Sequence, residues 1–213
     1  MTQFKHPLRS LLLSTSVGAL GSGLGGGVEL TLKNIAQALK QQGHQVTIVA
    51  PANSVLEGVS LVTIAGNLQT TAQTQGRDAS ITLSPNSVLG NIWAYARQVE
   101  HEYDLLINFA YDWLPFYLTP FFNRPIAHLV SMGSLTDAMD QIIEQVAVDF
   151  PGTIAVHSRA QAETFRFADR CRNIQNGFDL SLYEFCDQPK RQLAWVGRIA
   201  PEKIGRASCR ERV

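Results

Sequence analysis

Glycine decides how closely a backbone can approach a ligand, and this sequence concentrates glycine in one place. Gly18, Gly21, Gly23, Gly25, Gly26 and Gly27 follow an apolar run at residues 11–13. They precede a helical stripe of Val28, Leu32, Ile35, Ala36 and Leu39. A strand, a glycine loop and a helix together offer backbone N–H groups and the positive end of a helix to an anion. Gly26 and Gly27, at the corner, are the candidate contact residues. Gly21, Gly23 and Gly26 satisfy G-x-G-x-x-G as text, but they lie well past the apolar run and the extra glycines weaken the match. A flexible loop that binds nothing is the alternative. Glu29, in the first helical turn, either complements the helix dipole or repels a phosphate. An anion site here therefore needs a second source of positive charge.

The elements that must hold this corner follow from the rest of the chain. It has 213 residues, 45% hydrophobic and 17% charged, with zero formal net charge. That is one large domain, or one domain and a fragment. No basic run precedes the last eight residues, which argues against a nucleic-acid partner. Cys171, Cys186 and Cys209 have no metal-ligand spacing and suggest a reducing compartment without a disulfide framework. Lys5, His6, Arg9 and the apolar residues after them imitate a signal peptide, but Ser14 and Ser16 break the apolar core and no cleavage site ends it. No stretch approaches the roughly 18 apolar residues of a membrane span. These features read as a soluble cytoplasmic protein.

Residues 10–17 read as the first strand and residues 28–42 as a helix closed by Gly43. A β-branched strand at 45–50 ends at Pro51. This βαβ unit predicts a parallel sheet with a right-handed crossover. Strands are expected at 60–65, 103–110, 125–131 and 153–158, and helices at 86–102 and 159–168. Residues 66–87 form a polar excursion with a short strand at 80–83. The aromatic stretch 111–122, with two prolines, reads as a kinked helix or packed loop that fills the core. Ser134 is expected to cap a helix, with Asp137 at its third position and an apolar face of Leu135, Ala138, Met139, Ile142, Ile143 and Val146. Asn176-Gly177 is a turn signal, 186–191 a linker and 192–196 a new strand. The alternation predicts an α/β fold, a Rossmann-like doubly wound parallel sheet. Residues 1–188 would form that domain. Residues 189–203 would begin a second one, too short to bury a core.

Three segments, GGVELTLKNIAQALKQQGHQVTIVAP, IQNGFDLSLYEF and LAWVGRIAPEK, resemble in order and spacing the retaining glycosyltransferases of family 4. The resemblance spans about residues 8–203. It implies a B-type fold, in which two Rossmann-like domains face each other across a cleft. It also implies that Gly26 and Gly27 approach the diphosphate or the transferred sugar of a nucleotide sugar. Arg198 and Lys203 would reach the diphosphate from the other side and stabilise the leaving group, as a metal ion does elsewhere. Without the resemblance they read as ordinary surface charge. No metal or cofactor is implied; UDP-glucose would be the donor substrate.

Many relatives carry a His just after the strand that here ends near Ser131. This chain has Ser131-Met-Gly-Ser134 instead, and His128, within the strand, reads as a core histidine. No catalytic residue is assigned. The family's paired Glu residues and its base and ribose contacts belong to the second domain. Within the family the opening is most like cyanobacterial enzymes described as UDP-glucose:tetrahydrobiopterin glucosyltransferases. That implies a small-molecule acceptor, a pteridine, in a pocket with Ser131 and with Trp113, Phe116 and Tyr117 as stacking partners.

The expected function is therefore transfer of glucose with retention by a longer parent enzyme, the 213-residue piece being inactive alone. Residues 204–213 resemble translated adapter sequence joined to a truncated gene. The alternative is a non-catalytic Rossmann-like module that binds a nucleotide or a partner protein. An NAD-dependent oxidoreductase is disfavoured, because Ala50-Pro51 stands where an acidic ribose ligand is wanted. The oligomeric state is left open.

Overall fold

The computed structural model describes residues 6–72, 75–188 and 191. The chain divides into two units, Met1–Phe178 and Asp179–Val213. The first unit holds β1 (Arg9–Leu13), β2 (Gln45–Pro51), β3 (Ser60–Ile64), β4 (Leu105–Asn108), β5 (Ile126–Val130), β6 (Ile154–Val156) and β7 (Arg172–Asn173). All ladders are parallel, in the order β3-β2-β1-β4-β5-β6-β7. The helices are α1 (Gly27–Gln41), α2 (Val88–Val99), α3 (Trp113–Leu118), α4 (Asp137–Asp149) and α5 (Arg159–Ala162). In the second unit, a 3₁₀ turn covers Leu180–Leu182, started by Asp179 accepting from the Ser181 N–H at 3.0 Å.

Strand alternation builds two core layers from one short sequence. Leu11 and Leu13 pack in the layer of α2 with Ile92 and Trp93, while Leu12 packs in the layer of α1 with Leu32 and Ala36. Both faces of the central strands are covered, as a parallel sheet requires. A third cluster joins β5 and β6 to α4 through Val130, Ile143, Val146 and Val156. α1 ends in a Schellman arrangement: Gly43, at φ 87°, donates to the Lys40 carbonyl, and His44 N–H donates to that of Leu39.

The sheet winds outward from β1 to β3, then crosses back to place β4 on the other side of β1. This reversal opens a crevice at the carboxyl ends of β1 and β4, where ligands of doubly wound sheets bind. The polar excursion is pinched at its neck, with Asn67 N–H on the Asn86 carbonyl (2.7 Å) and Val88 N–H on that of Asn67 (3.0 Å).

Four expectations are corrected. Residues 80–83 form no strand: Ile81 and Leu83 remain exposed, so the local alternation finds no face to bury. β1 stops at Leu13 because Ser16 turns to Gln69, its hydroxyl donating to Oε1 at 2.8 Å and its carbonyl accepting the Gln69 N–H at 2.9 Å. The cap of α4 is Thr136, not Ser134. Thr136 stays extended and accepts from the Met139 N–H, and Asp137 is the first helical residue. α5 stops at Ala162 because the Thr164 hydroxyl bonds the Gln161 carbonyl (2.7 Å) in competition with the helix.

Candidate functional site

The glycine loop leaves β1 and returns as α1, and its glycines serve different ends. Gly21, Gly23 and Gly26 have φ of 90°, 78° and 61°, which side chains disfavour. Gly25 has no room for a Cβ, which would stand 2.9 Å from Glu29 Cγ. Gly27 needs glycine for neither reason: its φ lies outside the left-handed region, and a Cβ there would meet nothing within 4 Å. It opens α1, whose N-cap, Gly26, supplies no side-chain cap.

The loop N–H groups do meet an anion, and it is internal. Glu29 Oε2 accepts from Gly21 (2.9 Å) and Gly23 (3.3 Å), and Oε1 accepts from Gly25 (2.7 Å). The sequence posed Glu29 as either a dipole partner or a phosphate repeller; its carboxylate is spent on the loop itself. Leu20 N–H on Ser54 Oγ (2.8 Å) ties the loop to the end of β2.

Just after β1, Ser14 and Thr15 are buried, and their hydroxyl oxygens have no hydrogen-bond partner among the described residues. At the end of β4, Asn108 binds both backbone groups of Ala110 at 3.0 Å and donates to His128 Nδ1 at 3.1 Å. His128 Nε2 lies 2.9 Å from Thr119 Oγ1, which donates to the Pro115 carbonyl at 3.1 Å. One tautomer satisfies this chain: the Asn108 amide donates to Nδ1, so Nε2 carries the proton and donates to Thr119. Burial pushes the His128 imidazolium down to about 3, so the ring is neutral. Phe116 stacks on it, centroids 4.4 Å apart. His128 is the core histidine the sequence suggested. Phe116, also fully buried, is corrected as a ligand-stacking residue because its face is occupied by His128.

Asp112 follows β4 and precedes Trp113, the first residue of α3. Burial lifts its carboxyl to about 6, against the downward pull of the Leu114 and Trp113 N–H groups. A carboxyl group poised near neutral pH at the carboxyl edge of a sheet can accept or return a proton. The sequence reading passed over Asp112; its signal was an acidic residue a few positions after a half-buried strand, directly before an aromatic helix start. Trp113 is partly buried and stacks on Tyr117, which is exposed, at 4.6 Å.

The loop after β5 is held from three sides. The Gln161 amide donates to the Val130 (2.8 Å) and Met132 (2.9 Å) carbonyls. Ser134 N–H donates to Thr164 Oγ1 (2.9 Å), and a Cβ on Gly133 would stand 2.8 Å from that oxygen. Arg77 reaches across from the polar excursion to Ser134 Oγ (2.6 Å), Asp137 (2.8 Å) and Asp140 (2.7 Å). Tyr111 donates to the Gly133 carbonyl at 3.2 Å. Ser131, half-buried, is the first residue of this loop.

The sheet thus carries Gly26 and Gly27 after β1, Trp113 after β4 and Ser131 after β5 on one carboxyl edge. Arg198 and Lys203 lie outside the described residues, as do residues 192–213 entirely. Among the described residues no group of three or more His, Cys, Asp or Glu is placed to hold a metal ion, and no helix is long and apolar enough to cross a membrane.

Comparisons place this fold among known proteins. The family model described as Glycosyltransferase Family 4 matches residues 25–182. Two crystal structures of Anabaena Alr3699/HepE, one in complex with UDP and glucose and one with UDP-glucose, share the fold with a TM-score of 0.56 and 18% identity. Each match covers 84% of this chain and 47% of that one, so the chain spans about half the length of the structures it resembles. Comparison with curated proteins gives no match.

Proposed function

The chain belongs to Glycosyltransferase Family 4, and on that premise we propose that it forms the acceptor-side half of a transferase that moves glucose from UDP-glucose to a small acceptor with retention. The observation that carries this reading is Gly27. A glycine that neither backbone angle nor packing demands, with open space where its side chain would stand, opens an uncapped helix beside the switch-point crevice. Such a corner suits close approach of a diphosphate or sugar. Arg198 and Lys203 would complete the cradle from the second domain. Trp113 and Ser131 would line the acceptor pocket, with a pteridine such as tetrahydrobiopterin as the acceptor. Asp112, whose carboxyl stands at about 6 and is mostly ionised at neutral pH, would take the acceptor's proton as it attacks. The parent would act in the cytoplasm without a resident metal or cofactor, and this half alone would bind without turnover.

Gly27→Ala tests the reading. Alanine at a first helical position with open space leaves the fold as stable or slightly more so, by about 0.5 kcal/mol. UDP-glucose affinity, read by ligand-observed NMR on this chain and by donor KM in the full-length parent, should fall about tenfold or more. Unchanged donor affinity would remove Gly27 from the site. Transfer of labelled glucose to a panel of reduced pteridines tests the acceptor, and a parent that turns over none of them rules the pteridine out.

A further inference from the structure

We propose that Glu29 is a built-in anion: its carboxylate fills the cradle formed by the N–H groups of Gly21, Gly23 and Gly25, and by filling it fixes the corner at Gly26 and Gly27. The consequence for donor binding rests on the transferase reading; the cradle itself does not.

Successive N–H groups turned to one side make a concavity that takes an anion. Here Gly21 and Gly23, both at positive φ, turn their N–H groups to one carboxylate oxygen, and Gly25 turns its own to the other, at 2.9, 3.3 and 2.7 Å. A carboxylate only accepts, and its two oxygens have capacity for all three bonds. Glutamine, of the same size, cannot replace it: one of its two terminal atoms is an NH₂ that would face an N–H. Gly25 completes the fit, since any side chain there would strike Glu29 Cγ. The loop is thus folded around its own ligand, borrowed from the first turn of the helix it leads into.

Two things follow for the site. The cradle is consumed before any ligand arrives, so a phosphate meets the corner at Gly27 rather than the deeper glycines. Glu29 also cancels part of the positive end of α1, so the donor's charge must be met by cations from elsewhere in the protein. Glu29 is a positioning residue, acting through the loop and not on the reacting atoms.

Amide exchange of the 213-residue chain followed by NMR tests this, with Glu29→Ala and Glu29→Gln and with inorganic phosphate as the probe. Gly21, Gly23 and Gly25 should exchange about tenfold faster or more in both variants, while Leu12 and Ile48 in the core stay unchanged. Millimolar phosphate should restore protection in Glu29→Ala, whose cradle is vacant. It should do nothing in the wild-type chain, whose cradle is full, or in Glu29→Gln, whose cradle is blocked. A residue that merely packs the loop would give no rescue by an anion. Unchanged exchange in the variants, absent rescue in Glu29→Ala, or equal phosphate response in the wild type would each overturn the proposal. Should Glu29→Ala not fold, Glu29→Gln decides by its exchange rates alone. UDP-glucose is added last: a wild-type chain that ignores it counts against the transferase reading and leaves the exchange result standing.

Discussion

Two groups near the carboxyl edge titrate in opposite directions, His128 fully buried and Asp112 half-buried. His128 is held neutral down to about pH 3, against an ordinary value of 6.5. Between those values the unfolded chain binds more protons than the folded one, so stability falls as pH drops from 6.5 toward 3. Asp112 is the reverse. Its carboxyl stands at about 6 against 3.8, so the folded chain binds more protons between pH 3.8 and 6 and stability rises as pH drops through that window. The two slopes oppose each other over pH 3.8–6. Asp112→Asn should therefore stabilise the fold at pH 7, where the half-buried carboxylate is mostly charged, and should steepen the acid loss by leaving the His128 slope alone. Melting temperatures across pH 4–8 check both. A variant less stable than wild type at pH 7 would show that the carboxylate is not penalised there. The same substitution should abolish most transfer activity in the parent if Asp112 takes the acceptor's proton, a trade of stability for function expected at such sites.

At the scale of elements, the carboxyl edge is held by connections that no periodicity announces. The Asn108–His128–Thr119 chain fastens the end of β4 to β5 and to the carbonyl of Pro115 in α3, the helix that presents Trp113. Asn108→Ala should cost about 2–4 kcal/mol, because it leaves Ala110 N–H and His128 Nδ1 without partners in the interior. Chemical denaturation measures that cost, and a loss under about 1 kcal/mol would mean that the network relaxes. Gly133→Ala should destabilise by about 1–3 kcal/mol through its collision with Thr164. Strands β1 to β6 and α1 were legible in the sequence because their cores are local patterns: three leucines split between two layers, a stripe ended by Gly43, a β-branched run ended by Pro51; β7, two exposed residues long, carries no such pattern and was missed. The glycine corner was legible for the same reason. The inward turn of the loop onto Glu29, the clamp of Gln161 and the reach of Arg77 were not, since each depends on where a side chain points across the sheet edge. Thr136 rather than Ser134 caps α4, although only Ser134 has an acidic residue three positions on, because the hydroxyl of Ser134 is drawn to Asp140 and Arg77.

At the scale of the whole molecule, residues 174–185 carry several apolar side chains that are exposed among the described residues. Ile174 and Phe178 close the first unit exposed, and Leu180, Leu182, Tyr183 and Phe185 are exposed in the second, Phe185 at 89%. Single exposed apolar residues are ordinary, but four within six positions of the second unit, Leu180 to Phe185, are a stretch that water solvates poorly. The chain also spans 47% of each HepE chain that it matches in fold. A protein with this stretch uncovered should self-associate as its concentration rises. Sedimentation velocity over a hundredfold range should show the average mass growing, together with binding of an apolar dye. Replacing Leu180, Leu182 and Phe185 with Ser should suppress both. The melting temperature should hold within about 2 °C, because exposed side chains contribute within about ±0.5 kcal/mol each to stability. If the triple variant instead melted much earlier, these side chains would be part of a core rather than an exposed surface. A wild-type chain that stayed monomeric and dye-free at every concentration would show that the stretch needs no cover.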